Sequence, residues 1–203
     1  MTEQTLSRPS KKCLGPKGSI FYTDEHQYRI GEKFIPGLSY EFKRIGILKG
    51  MEHIPKFYAD RGSAVHYLCE LLDQGKLGEY DPSLWPYLNA YLKFLDEYKP
   101  DWELIEQPMI SESLQLGSTL DRMGLICKNV IVDLKTSSQI ASWHKMQLAI
   151  HSYTLQEITG QTLTGAVLQL KGDGTYIYKE FTLADLEKAF EKFTLKRKEF
   201  ENE

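Results

Sequence analysis

In the stretch VIVDLKTSS, residues 130–138, an aspartate and a lysine stand two positions apart inside an apolar run. Val130, Ile131, Val132 and Leu134 are strand formers. Charges placed among such residues are costly without partners. Strand residues i and i+2 share a face, so Asp133 and Lys135 project together while Val132 and Leu134 enter the opposite layer. Upstream, GSTLDRMG places Asp121 on the preceding strand. Two carboxylates on neighbouring strands can share a hard divalent cation such as Mg²⁺, which prefers oxygen ligands. A lysine beside that ion stabilises charge or orients a water, while the ion acidifies the water and polarises the electrophile. Such a set can hydrolyse a phosphodiester. The bland alternative is a solvated strand face, with Asp121 in a turn.

Register decides whether the aspartates meet. A two-residue turn at Lys128-Asn129 pairs Cys127 with Val130 and leaves Asp121 opposite Thr136, on the wrong face. A three-residue connection, or a one-residue bulge near Gly124, restores the shared face. The three-residue loop sets Asp121 directly across from Lys135 and diagonal to Asp133. The chemistry requires an odd offset in this hairpin.

The elements around the pair follow from periodicity. Residues 20–34, IFYTDEHQYRIGEKF, read as two short strands about a turn. Ser39 can cap a helix running to about Lys49, with Glu41 in its first turn. Val65, Leu68, Cys69 and Leu72 form a helical stripe with Ser63 as N-cap, and His66 lies beside that stripe. A further helix runs from Pro82 to Tyr98. Three strands follow over 103–113, 117–127 and 130–136. Next come a helix from Ser142 to Gly160 and a hairpin around Asp173-Gly174. A closing helix is opened by the Thr182/Asp185 capping pair. This order predicts an α/β (α+β) chain with one central mixed sheet flanked by helices.

Composition bounds the rest. The 203 residues, 41 % of them apolar, suit one domain with a real core. We expect a polar tail over 1–18 and a single domain over 19–203, with a hairpin and helical part over 19–100 and the sheet core over 101–203. No apolar run reaches the roughly 20 residues of a membrane span, and the N-terminus lacks a secretory h-region. Cys13, Cys69 and Cys127 are too few and too scattered for a disulfide framework or a zinc site, so a reducing, intracellular (cytoplasmic) setting is expected. A net charge of −3 gives no bulk basic footprint. A polyanion must then be held by a local groove or by metal ions.

Ordered blocks of sequence carry a resemblance. Residues 117–122 (GSTLDR), 131–136 (IVDLKT) and 147–153 (QLAIHSY) resemble the RecB-type branch of the PD-(D/E)XK nuclease superfamily. Residues 61–70 (RGSAVHYLCE) resemble that branch's helical histidine motif. FYTDEHQYRIGEKFIPGLS is similar to the front hairpin of phage-type and mitochondrial genome maintenance exonucleases. The resemblance spans roughly residues 20–160 and implies a restriction-endonuclease-like core. It implies metal ligation by Asp121 and Asp133, the Leu134 carbonyl and His66, with Lys135 activating the water. Gln147 would orient Lys135 or the DNA backbone. Arg61 is a candidate phosphate contact, with an exposed helix-terminal arginine as its alternative. Glu106 matches an acidic position of the first strand, with an ordinary edge-strand glutamate as its alternative. Where relatives often carry Gln-x-x-x-Tyr, this chain has His151 four residues after Gln147, either as a stacking or phosphate-binding group or as a packed helical histidine. Tyr153, about 200° round the helix from that position, cannot replace it. In IPGLSYE, relatives more often show Ser-Val-Thr.

The implied activity is a Mg²⁺- or Mn²⁺-dependent DNA exonuclease able to act on single strands. Recombination or replication proteins are its candidate partners, DNA recombination and repair its implied processes, and phages one setting for such enzymes. Three cysteines cannot build the four-cysteine iron–sulfur cluster of some relatives. A structure-specific endonuclease shares the same chemistry. A non-catalytic DNA-binding module would not need the Asp121, Asp133, Lys135 set.

Overall fold

The computed structural model describes residues 10–50 and 55–202. Four short strands come first: β1 (Ser10–Lys12), β2 (Ser19–Tyr22), β3 (Gln27–Ile30) and β4 (Lys33–Ile35). They pair antiparallel in sequence order. Sequence periodicity gives two strands here and assigns residues 10–12 to the tail. β1 is polar and fully exposed, held by its ladder to β2 and not by burial, so hydrophobic patterning carries no trace of it. This small sheet rests on a core of Cys13, Phe21, Tyr28, Ile35 and Ile110.

Helix α1 (Leu38–Arg44) follows, with Gly37 and not Ser39 at its N-cap. It stops at Arg44, short of Lys49, where Gly46 turns left-handed at φ 75°. Helix α2 (Lys56–Asp73) begins directly after Pro55, a full two turns before Ser63, which lies inside it. A 3₁₀ turn over Pro82–Leu84 leads into α3 (Trp85–Tyr98).

The main sheet has the order β5-β6-β7-β8-β9. Strands β5 (Asp101–Ser111), β6 (Leu116–Ile126) and β7 (Lys128–Lys135) form an antiparallel meander. Helix α4 (Ser142–Thr159) carries the chain over to β8 (Thr164–Leu170), which pairs parallel with β7. The hairpin at Asp173-Gly174 returns it as antiparallel β9 (Tyr176–Phe181). Helix α5 (Leu183–Glu201) closes the fold behind the expected Thr182/Asp185 capping box. The result is the mixed α+β architecture that the element order implies, with a central mixed sheet between helices.

Strand alternation sorts the core into two layers. Val130, Val132 and Leu134 pack with Ala166, Leu168 and Leu170 against Val65 and Cys69 of α2 and Tyr91 and Phe94 of α3. Ile131 and Val167 face the other way, onto Leu148 of α4 and Leu186 and Ala189 of α5. Asp133 and Lys135 belong by parity to this second side, as the i, i+2 rule requires.

The β6–β7 hairpin turns at Cys127, a single left-handed residue (φ 58°) between the paired Ile126 and Lys128. The offset is odd, as the chemistry demands. The turn is centred one residue earlier than the three-residue loop considered from sequence, however. The register therefore projects Asp121 across from Asp133 and not from Lys135. The irregularity near Gly124 lies on the other side of β6, where β5 slips between Trp102 and Leu104. There the backbone of Asp101 approaches so closely that a Cβ on Gly124 would sit 2.1 Å from the Asp101 carbonyl oxygen. Gly124→Ala is expected to destabilise the fold by about 1–3 kcal/mol, the usual cost of overpacking. Urea unfolding midpoints measure it, and an unchanged midpoint would refute the tight approach.

Candidate active site

Strand pairing on both sides of β6 gives out at one level, and the acidic residues sit there. The β5–β6 ladder passes from Ile105↔Arg122 to Gln107↔Leu120, stepping over Glu106 and Asp121. Glu106 takes a left-handed backbone, φ 44°. On the other side the β6–β7 ladder ends at Arg122↔Val132, one pair short of Asp121 and Asp133. Backbone groups released by the splayed strands still need partners when buried. The Leu134 N–H donates to Asp121 Oδ2 at 2.7 Å. The Leu134 carbonyl lies 3.0 Å from His66 Nε2. Side chains thus replace the missing ladder bonds, and in doing so are held in place.

His66 reaches this level from α2. With Nε2–H donated to Leu134, its Nδ1 faces two carboxylates, 3.5 Å from Glu106 Oε1 and 3.6 Å from Asp121 Oδ1. His66, Glu106 and Asp121 each offer one ligand atom, all within 4.8 Å of one another. Two carboxylate oxygens and one imidazole nitrogen suit Mg²⁺ or, better for the imidazole, Mn²⁺. A backbone carbonyl that fixes the far ring nitrogen is the usual support for a ligating histidine. The donor set therefore fits a divalent cation.

Asp133 is one step away. Lys135 Nζ donates to its Oδ1 at 2.7 Å, and the same ammonium lies 5.8 Å from the Trp143 ring centroid. The cluster that the fold assembles is His66–Glu106–Asp121, with the Asp133–Lys135 pair beside it. Glu106, the weakest of the acidic candidates by sequence, is a full member. Nothing in its spacing announces this, because its position depends on β5 register and a left-handed backbone.

The charges are strongly coupled. Burial opposes a charge on His66, but Asp121 and Glu106 outweigh it and raise the ring's pKa to about 9. Burial also pushes at Asp121, yet His66, Lys135 and the Leu134 N–H hold its carboxyl below the usual carboxylate range. Asp133 goes the other way. Burial, helped by the charge on Asp121, raises it to about 7 against the pull of Lys135. Burial opposes the charge on Lys135, but Asp133 and Asp121 keep its pKa raised.

A metal must displace the proton from His66, which gives a pH prediction. Affinity for Mn²⁺ should rise about tenfold per pH unit toward 9 and level off above it. Without metal the sign reverses. A folded-state pKa raised above the unfolded value stabilises fully below about 6.5, and that stability is lost as pH rises through 9. Calorimetry of metal-free and Mn²⁺-loaded protein reads both trends. A pH-independent affinity would remove His66 from the ligand set.

Behind the cluster lies a network that sequence reasoning missed. Arg122 is wholly buried. Its Nε donates to Asp73 Oδ2 at 2.7 Å, and its Nη1 to Glu106 Oε1 at 3.0 Å and to the Asp121 carbonyl at 2.6 Å. The Tyr91 hydroxyl donates to Asp73 at 2.8 Å. Arg122 thus fixes both the Glu106 carboxylate and the backbone of Asp121. The one sequence signal is an arginine next to Asp121 on a strand whose alternate face enters the α2/α3 layer.

The remaining candidates divide. Arg61 donates through Nη2 to the Thr136 carbonyl at 2.9 Å and stacks 5.1 Å from both the Tyr58 and Tyr87 rings, clamping the end of β7. Gln147 and His151 line a cavity of about 570 Å³ between α4, the small sheet and β6. His151 is 1 % exposed, and burial lowers its pKa to about 4.

No protein-family profile matches this chain, and neither does any curated protein. Among solved structures, it superposes on a protein of Eubacterium rectale provisionally named an exonuclease, with TM-score 0.52 and 13 % identity over 79 % of this chain and 72 % of that one. An alkaline exonuclease from Laribacter hongkongensis is a looser match, TM-score 0.33 and 12 % identity over 78 % of this chain and 88 % of that one. The same enzyme in complex with dAMP gives TM-score 0.34 and 15 % identity over 78 % and 86 %. These two superpositions are too loose to add to the first, which carries the conclusion: this chain shares the fold of the Eubacterium rectale protein.

Proposed function

We propose that the chain is a divalent-metal-dependent deoxyribonuclease of the RecB-type PD-(D/E)XK branch, acting as an exonuclease on single strands or DNA ends. The observation that carries this is the convergence of His66, Glu106 and Asp121 at the splayed level of the sheet, with the Lys135–Asp133 pair next to them. The exonuclease name of the structure with the same fold agrees with it.

His66, Glu106 and Asp121 would hold Mg²⁺ or Mn²⁺, with Asp133 and the Leu134 carbonyl at the adjacent position of β7 as the further ligands implied by the resemblance. When bound, the ion supplies an acidified water and a counter-charge for the phosphate. Lys135 orients the attacking water and offsets the negative charge that grows on the phosphoryl oxygens. Asp133, 2.7 Å from Lys135, aims that ammonium. Arg122 keeps Glu106 and Asp121 in place without touching substrate. Gln147 faces the DNA from α4. The substrate approaches through local contacts, since the net charge of −3 gives no general attraction to a polyanion.

No helix among the described residues is long and apolar enough to cross a membrane. We place the protein inside the cell, working with recombination or replication proteins at DNA ends. The deciding assay incubates the protein with Mg²⁺ or Mn²⁺ and end-labelled linear single-stranded, linear duplex and circular DNA. Release of nucleotides from linear DNA alone supports the exonuclease, and cut circles support an endonuclease. Binding of DNA without cutting would leave a non-catalytic module.

A further inference from the structure

The cavity beside the acidic cluster has features the hydrolytic chemistry does not use. Its volume, about 570 Å³, lies within the roughly 300–1,000 Å³ typical of small-molecule sites. His151 belongs to its lining, 1 % exposed, with both ring nitrogens buried and lacking a hydrogen-bond partner among the described residues. Gln147, Ser118 and Thr119 add amide and hydroxyl groups to the wall. At the lining stand two exposed aromatics, Phe34 of β4 at 53 % and Tyr40 of α1 at 62 %. Neither ring is covered by the core, and both belong to elements that wall the cavity. Trp143 also lines it and lies 5.8 Å from Lys135 Nζ, so the cavity and the site share a wall.

We propose that this cavity receives one unpaired nucleobase of the DNA strand whose phosphate lies at the acidic cluster, stacked by Phe34 and Tyr40 and contacted along its edge by Gln147 and the neighbouring hydroxyls. The proposal rests on the nuclease reading and deepens it. Aromatic rings stack on any base, and amide and hydroxyl groups can both donate and accept toward a base edge. A phosphate alone would call for cations, and among the described residues the lining contains no lysine or arginine. A base still paired in a duplex presents its edge to its partner strand. Entry therefore demands a single-stranded or frayed end, which supplies a physical reason for a single-strand preference.

The test uses the full chain as Lys135→Ala with Mn²⁺, so that binding is read apart from cutting. Single-stranded oligonucleotides carry one abasic residue, moved position by position, and affinity is followed by fluorescence anisotropy. The expected result is about tenfold weaker binding when the abasic residue falls at one particular position. Phe34→Ala and Tyr40→Ala, both at exposed side chains that leave the core intact, should weaken intact DNA similarly. Both should have little further effect on DNA that already lacks that base. Equal affinity at every abasic position, or additive losses in the cycle, would overturn the pocket. Failure of the nuclease reading is separate: the unmodified protein would then cleave no DNA, whatever the abasic series shows.

Discussion

Lys135→Ala should lower the single-turnover cleavage rate by at least 10²–10³-fold while leaving the fold and DNA affinity close to normal. The rate forecast follows from where the ammonium acts. Lys135 offers charge to oxygens that become more negative only in the transition state, so its loss falls on the chemical step and not on binding. The folding forecast follows from Asp133. Removing an ammonium from a buried pair ordinarily strands a charge. Here burial already raises the Asp133 carboxyl to about 7, and without Lys135 it rises further and takes up a proton. A neutral acid remains in place of a bare carboxylate. The variant should therefore keep a cooperative unfolding transition near that of the parent. Rapid-mixing cleavage and thermal melts check the two halves independently. An unchanged single-turnover rate would reject the role of Lys135, and an unfolded variant would show that Asp133 stays charged.

The fold and the candidate site differ in how much of each is legible in the sequence. The α4 and α5 helices, the β8–β9 hairpin and the layer assignment of Val130, Val132 and Leu134 follow from periodicity, because burial on one face leaves a period in the residues. Asp121, Asp133 and Lys135 were recognisable through i, i+2 logic and the odd offset of their hairpin. The true register was not, because it depends on whether Cys127 alone accepts a left-handed turn. Glu106 was hardly visible for a related reason: it joins the cluster where two ladders lapse together, a tertiary event with no local signature. β1 was invisible because main-chain bonds to β2 hold it while its side chains stay in water. Asp73, Arg122 and Tyr91 come from three elements separated along the chain, and only the packed α2/α3 layer brings them together.

That network should show the largest stability effect in the molecule. Arg122 is wholly buried and answers two acids, Asp73 and Glu106. Burial opposes its charge, and Tyr91, Asp73 and Glu106 outweigh the penalty, holding the guanidinium charged. Asp73 is tilted the other way, its carboxyl raised by burial against the attraction of Arg122. Arg122→Met keeps much of the side-chain volume and removes the charge, leaving Asp73 without its cation and Glu106 with His66 alone. Breaking one side of a buried pair typically costs about 3–5 kcal/mol, and urea unfolding should show a loss of that size. A second substitution separates charge from packing. Asp73→Asn removes one stranded carboxylate, so Arg122→Met/Asp73→Asn should recover part of the loss, a coupling of about 1–3 kcal/mol in the double-mutant cycle. Glu106 lacks its Arg122 anchor in both variants and keeps only its contact with His66. Metal affinity should therefore stay weakened even after stability is partly restored, a split that a merely structural network would not produce. Full recovery of Mn²⁺ affinity in the double variant would show that Glu106 does not depend on Arg122 for its position.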